Sequence, residues 1–247
     1  MKKLRMMAAM VVAMVMMSVI PSFAETDGNA GGEPYILNVE GLSPEQDGYR
    51  ANYQYFNVFE EYGRVRYQGI IEIENTSAGN LYLGNATFDV YDTSGKIVAS
   101  ETMISSDPSV IAPGEKGYFF SNGGSLNDVE MGQYIMKPSL SVKKTKLEAK
   151  RYPIANTSIK KSKYGSGVSI LGTVTNDTEK DQSLLWIVFV VFDSSDHPIG
   201  VYGTNILDFN AGKTVGFEGE GMLLPKSVTL DKVKRYEVIA SPIQYQF

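Results

Sequence analysis

A single histidine, His197, and no cysteine limit the chemistry available to these 247 residues. A Ser-His-Asp or Cys-His centre would have to be built on His197. That residue stands beside Pro198, just after Asp193-Ser-Ser-Asp196, a run with the composition of a tight turn, and is expected to be a solvated turn residue. One His and no Cys leave the usual zinc sets out of reach. Asp193 and Asp196 offer carboxylates at short spacing, but the Asp-x-Asp-x-Asp-Gly ladder of a calcium loop is missing. Gly212-Lys213-Thr214 ends like a phosphate-binding loop, yet Leu207 occupies the position of the first glycine and no helical pattern follows. Glu60 and Glu61 are adjacent, so in a strand they face opposite ways and cannot act as an acid/base pair. No catalytic, cofactor-binding or metal-binding residue is assigned, and the expectation is a protein that is not an enzyme.

Two features point to binding. Tyr49, Tyr53, Tyr55, Tyr62 and Tyr67 fall within nineteen residues. Exposed on a flat sheet face, Tyr53, Tyr55 and Tyr62 would stack on sugar rings or anchor a protein partner. As cross-strand pairs they would instead fill a core. The second feature is basic: Lys143, Lys144, Lys146, Lys150, Arg151, Lys160, Lys161 and Lys163 share one stretch with one acid, Glu148. Such a seam suits an anionic envelope polymer or an acidic partner, bound in a salt-sensitive way. The alternative is a solvated linker and an edge strand guarded by lysines against sheet-to-sheet association.

The elements that must position these residues come in duplicate. Phe88-Asp-Val-Tyr-Asp92 followed by Thr93-Ser94-Gly95 returns 101 residues later as Phe189-Val-Val-Phe-Asp193 followed by Ser194-Ser195-Asp196. At the same offset Asn75 answers Asn176, each closing a run of alternating residues. Ile111-Ala-Pro-Gly114 answers Phe209-Asn-Ala-Gly212 at an offset of 98, the second copy being three residues shorter in between. A fixed order of strand, Asn, strand, Asp turn, strand and Gly turn, met twice, reads as an internal duplication. Residues Arg64 to Glu74 alternate, with Val65, Tyr67, Gly69, Ile71 and Ile73 inward and Arg66, Gln68, Glu72 and Glu74 outward, the pattern of a strand with one wet face. Leu184 to Phe192 is apolar on both faces, as expected of a central strand or of one covered by the neighbouring unit. With turn signals every 8–12 residues or so, the fold class is all-β: two tandem antiparallel immunoglobulin-like sandwiches.

On these residues the chain resembles the FxLYD domain family, named for its Phe-x-Leu-Tyr-Asp signature. The first copy departs by Val90 for Leu, the second by Val191 for Leu and Phe192 for Tyr. The resemblance covers residues 49 to 247 and implies small immunoglobulin-like or fibronectin-like sandwiches exported by bacteria. It carries over no catalytic residues.

Residues 1–24 read as a cleaved secretory signal peptide, with Lys2, Lys3 and Arg5 before an apolar run and Ser22-Phe23-Ala24 at the cut. Residues 25–48 are expected to be a flexible leader with an extra strand near Tyr35, followed by sandwich one over 49–148 and sandwich two over 149–247. Without the signal peptide the chain has 20 basic and 28 acidic residues, a net charge of −8. That argues against nucleic acid as a partner, and no segment of the mature chain is expected to span a membrane. A domain of about 100 residues buries enough surface to fold without disulfides. The expected role is a secreted (in a diderm cell, periplasmic) interaction module of the envelope, binding a protein or, alternatively, an envelope glycan.

Overall fold

The computed structural model describes residues 34–61, 63–102, 104–126, 129–164, 167–222 and 224–245. The expected signal peptide lies outside the described residues, as does Tyr62. The N-terminal half holds β1 (Tyr35–Leu37), β2 (Glu45–Gln46), β3 (Tyr49–Glu61), β4 (Arg64–Asn75), β5 (Leu81–Asp92), β6 (Ile97–Thr102), β7 (Ser105–Asp107), β8 (Val110–Ile111), β9 (Lys116–Ser125) and β10 (Tyr134–Lys144). The C-terminal half holds β11 (Ile154–Lys161), β12 (Val168–Thr175), β13 (Gln182–Phe192), β14 (Pro198–Phe209), β15 (Thr214–Glu220) and β16 (Arg235–Pro242). The protein is all-β, and no helix long and apolar enough to cross a membrane occurs among the described residues.

These strands form four sheets. In the N-terminal half, an outer sheet ordered β10-β5-β6, with β8 on β5, faces an inner sheet ordered β1-β3-β4-β9-β7, with β2 on β3. In the C-terminal half the inner sheet is β14-β13-β16 and the outer sheet β11-β12-β15. All ladders are antiparallel except β1 on β3, where Tyr35 lies opposite Tyr53. The described part of the expected leader, from Pro34, carries β1 and β2, and both belong to the first half's inner sheet.

Three apolar cores separate the four layers. The first lies within the N-terminal half and includes Phe56, Tyr67, Ile71, Ile73, Phe88 and Phe119. The second lies within the C-terminal half and includes Ile170, Leu185, Ile187, Phe189, Phe209 and Phe217. The third joins the halves: Tyr53, Ile70, Tyr118 and Phe120 of the first inner sheet meet Val188, Val190, Phe192 and Val201 of the second. Strand alternation explains how one element serves two cores. On β13, Leu185, Ile187, Phe189 and Val191 face inward, while Val188, Val190 and Phe192 face the other half. The two-faced apolar pattern of this strand has both expected causes, since β13 is central in its sheet and covered by the neighbouring half.

The expected wet face of β4 is not wet. Gln68 and Glu72 are 1% and 3% exposed, because the second half covers the face they share with Ile70. Their polar ends are satisfied locally. Gln68 Nε2 donates to Asn122 Oδ1 at 3.0 Å, and Lys116 Nζ sits 2.8 Å from Glu72 Oε1. Asn122 in turn donates to the Val201 carbonyl, a hydrogen bond between the halves. Another departure from simple alternation lies on β3, where the register shifts between Ala51 and Tyr53. That bulge turns Tyr49 and Ala51 toward the first core but Tyr53 and Tyr55 toward the seam.

Candidate functional site

The residues that recur at fixed offset hold loops in place. Asn75 Nδ2 donates to the Gly79 and Ile111 carbonyls at 2.9 and 3.0 Å, and its Oδ1 accepts from the Ser77 N–H and hydroxyl. Asn176 Nδ2 donates to the Lys180 and Phe209 carbonyls at 3.0 and 2.9 Å, and its Oδ1 accepts from the Thr178 N–H and hydroxyl. Their backbones also match, with Gly114 N–H donating to the Asn75 carbonyl and Gly212 N–H to that of Asn176. Asp92 Oδ1 accepts from the N–H groups of Ser94 and Lys96, as Asp193 Oδ1 does from Ser195 and His197. Such Asp side chains imitate a backbone turn. At the tip, Gly95 has φ of +82° and Asp196 +62°, so the second copy holds an aspartate in the left-handed region. Among the described residues, no group of three or more His, Cys, Asp or Glu side chains is placed to hold a metal ion.

His197 is not a free turn residue. Its ring lies 4.3 Å from that of Tyr35 and 5.4 Å from that of Tyr53, across the seam between the halves. Tyr35 and Tyr53 stack nearly parallel at 5.0 Å, and Tyr53 and Tyr55 at 5.9 Å. Burial pushes the Tyr53 hydroxyl far up and that of Tyr55 up to about 12. Tyr53 is 5% exposed and Tyr55 half-buried, so Tyr53 is enclosed by the second half rather than displayed as an open stacking platform. Beside them the Arg235 guanidinium lies 3.4 Å over the Phe192 ring and pairs with Asp196 and Glu237.

The basic residues divide by partner. Arg151 is tied to Glu115 at 2.6 Å and to the Val110 carbonyl, burial lowering its guanidinium below the usual value. Lys160 pairs with Glu218 at 2.9 Å, Lys163 lies 3.9 Å from Glu220, and Lys150 sits over the Tyr152 ring. Lys143, Lys144 and Lys146 are exposed and make no ion pair among the described residues. Lys143 and Lys144 end β10 and Lys160 and Lys161 end β11, each the outermost strand of its sheet. Lysine on an unpaired edge also deters strand addition by another chain.

Sequence reasoning missed a cleft of about 250 Å³ where the two halves meet. Tyr82 and Asp107 come from the first half, Trp186 from β13, and Gln244 and Tyr245 from the stretch after β16. The C-terminal stretch is held across the seam: Gln244 N–H donates to Ser109 Oγ at 3.4 Å and Gln244 Nε2 to the Glu148 carbonyl at 3.1 Å. Desolvation pushes the Asp107 carboxyl up to about 8, opposed only in part by the Trp186 indole N–H. That N–H is turned toward the carboxyl without closing a full hydrogen bond. The Gln244 Oε1 is likewise buried without a partner.

An acid whose folded value is raised holds its proton more tightly in the fold than in the unfolded chain. Its contribution is fully present below the unfolded value near 3.8 and is lost as pH rises through about 8. The chain is therefore expected to lose stability across that window relative to Asp107→Asn, by about 2 kcal/mol once the carboxyl's partial opening to water is allowed for. Urea unfolding of both proteins from pH 4 to 9 checks this; curves that stay parallel contradict it.

No family model matches the chain, and no curated protein matches it. Among solved structures it is similar to the crystal structure of red sea bream transglutaminase, at 7% identity and a TM-score of 0.20. The match covers 78% of this chain, which spans 31% of that one. A likeness of that degree carries no argument about fold or function.

Proposed function

We propose that the chain is an exported, non-catalytic binding module of the bacterial envelope, made of one immunoglobulin-like unit used twice and acting through its exterior. The matched Asn75 and Asn176 networks, and the matched Asp92 and Asp193 turns, support the duplication and the resemblance to FxLYD domains. The side chains that sequence spacing marked for chemistry hold the fold instead. His197, Tyr35 and Tyr53 pack at the seam, and the carboxylates of Asp193 and Asp196 close a turn and an ion pair.

The observation that carries the reading is the exposed trio Lys143, Lys144 and Lys146, left without counter-charges on a protein that is otherwise strongly acidic. Three such charges on one edge attract an anionic partner at moderate salt and release it at high salt. The partner class is an acidic envelope protein or an anionic wall polymer.

Retention on isolated envelope material is the test. The triple variant Lys143→Glu, Lys144→Glu, Lys146→Glu is expected to bind at least about tenfold more weakly, and the wild type to elute as salt approaches about 0.5 M, where screening acts within a few ångströms. Salt-independent retention, or a triple variant that binds as well as the wild type, sinks the proposal.

A further inference from the structure

We propose that the cleft between Asp107, Trp186 and Gln244 is a binding site for an organic primary ammonium group. Among the residues lining the cleft, Asp107 carries the only charged side chain, and no Lys or Arg faces it. Its carboxyl makes no ion pair among the described residues. Gln244 supplies a second acceptor, since Nε2 is committed to the Glu148 carbonyl and Oε1 is left buried and unpartnered. Among the described residues neither acceptor closes a full hydrogen bond, the Trp186 N–H being only turned toward the carboxyl, so the pair calls for a ligand rich in N–H. A buried carboxylate without a counter-charge calls for a cation.

The remaining walls fit the same group. Tyr82, Trp186 and Tyr245 present three aromatic side chains around one carboxyl, and aromatic faces attract ammonium groups. A volume of about 250 Å³ exceeds the roughly 150 Å³ that admits a benzene-sized molecule. It takes an ammonium head on a short alkyl stem or on one sugar ring, not an extended polymer. The raised proton affinity of Asp107 agrees with this chemistry, because a cation must expel that proton.

The site exists only when the halves are docked, since the first half gives the carboxyl, β13 the indole and the last residues the amide. It is independent of the lysine edge, so the two readings fail separately.

The single tryptophan makes binding visible, because all indole fluorescence comes from Trp186. The full-length protein is titrated with n-butylammonium and with glucosamine, each against its neutral counterpart, n-butanol and N-acetylglucosamine. A saturable fluorescence change with the ammonium compounds alone is expected. Response to butylammonium but not glucosamine assigns the group to an alkylamine such as a lysine side chain, and the reverse assigns it to an amino sugar. The apparent Kd should rise about tenfold per pH unit as pH falls below the Asp107 value, since only the ionised fraction binds. Asp107→Asn should abolish the response. Gln244→Met, which keeps the volume but removes the acceptor, should weaken it three- to tenfold with unchanged pH dependence. Equal binding of the neutral counterparts, pH-independent binding, or no saturable change in correctly folded protein overturns the proposal.

Discussion

Replacing Asn176 by Ala is expected to destabilise the C-terminal half by about 3–4 kcal/mol, and Asn75→Ala to do the same to the N-terminal half. Each side chain is almost fully buried and closes four hydrogen bonds at a loop crossing. Alanine removes these bonds and leaves the Phe209 carbonyl, or in the other half that of Ile111, buried without this donor. A neutral hydrogen bond contributes only about 1 kcal/mol net, but a stranded buried carbonyl costs about 1–3 kcal/mol more. Aspartate does not rescue: it keeps the acceptor, loses both donations and buries a charge. Denaturant unfolding of the two alanine variants should show matching losses. A loss below about 1 kcal/mol in either half would mean that the network is not what holds that loop.

The second large effect concerns the seam. Val190→Asp places a carboxylate among Val188, Phe192, Ile70 and Tyr118, where the nearby Arg235 is already paired with Asp196 and Glu237, at a cost above about 4 kcal/mol. Val190 belongs to neither internal core, so the expected result is separation of two folded halves rather than global unfolding. Small-angle scattering should show a larger radius of gyration. Proteolysis should speed up between Lys144 and Ile154, where the halves are joined, and unfolding should split into two transitions. Ile70→Asp attacks the same core from the opposite sheet and should give the same behaviour. A single transition with unchanged dimensions would falsify the view that this apolar layer holds the halves together.

The parts of the fold legible in the sequence were those governed by local pattern. Alternation along β4 and the double apolar face of β13 follow from strand geometry alone, and the Asn and Asp positions declared themselves by recurrence. What covers a face is a different matter. Gln68 and Glu72 look like solvent-facing residues because buried polar side chains are identified by their partners, here Asn122 and Lys116, which lie far along the chain. The Tyr53 and Tyr55 cluster was legible as a group but not its surroundings, because the bulge before Tyr53 decides which core each tyrosine enters. Short strands β2, β7 and β8 are too brief to show a period. Residues 227–233 form a succession of hydrogen-bonded turns without a helix. The Asp107, Trp186 and Gln244 cleft had no signal to find, since its three walls come from distant segments that only docking brings together.

Because β13 is apolar on both faces, each half depends on the other for its solubility. Val188, Val190 and Phe192 on one inner sheet, and Tyr53, Ile70, Tyr118 and Phe120 on the other, are covered only by docking. Either half made alone therefore carries a bare apolar face and is expected to pair with copies of itself, a risk that linking the two in one chain removes.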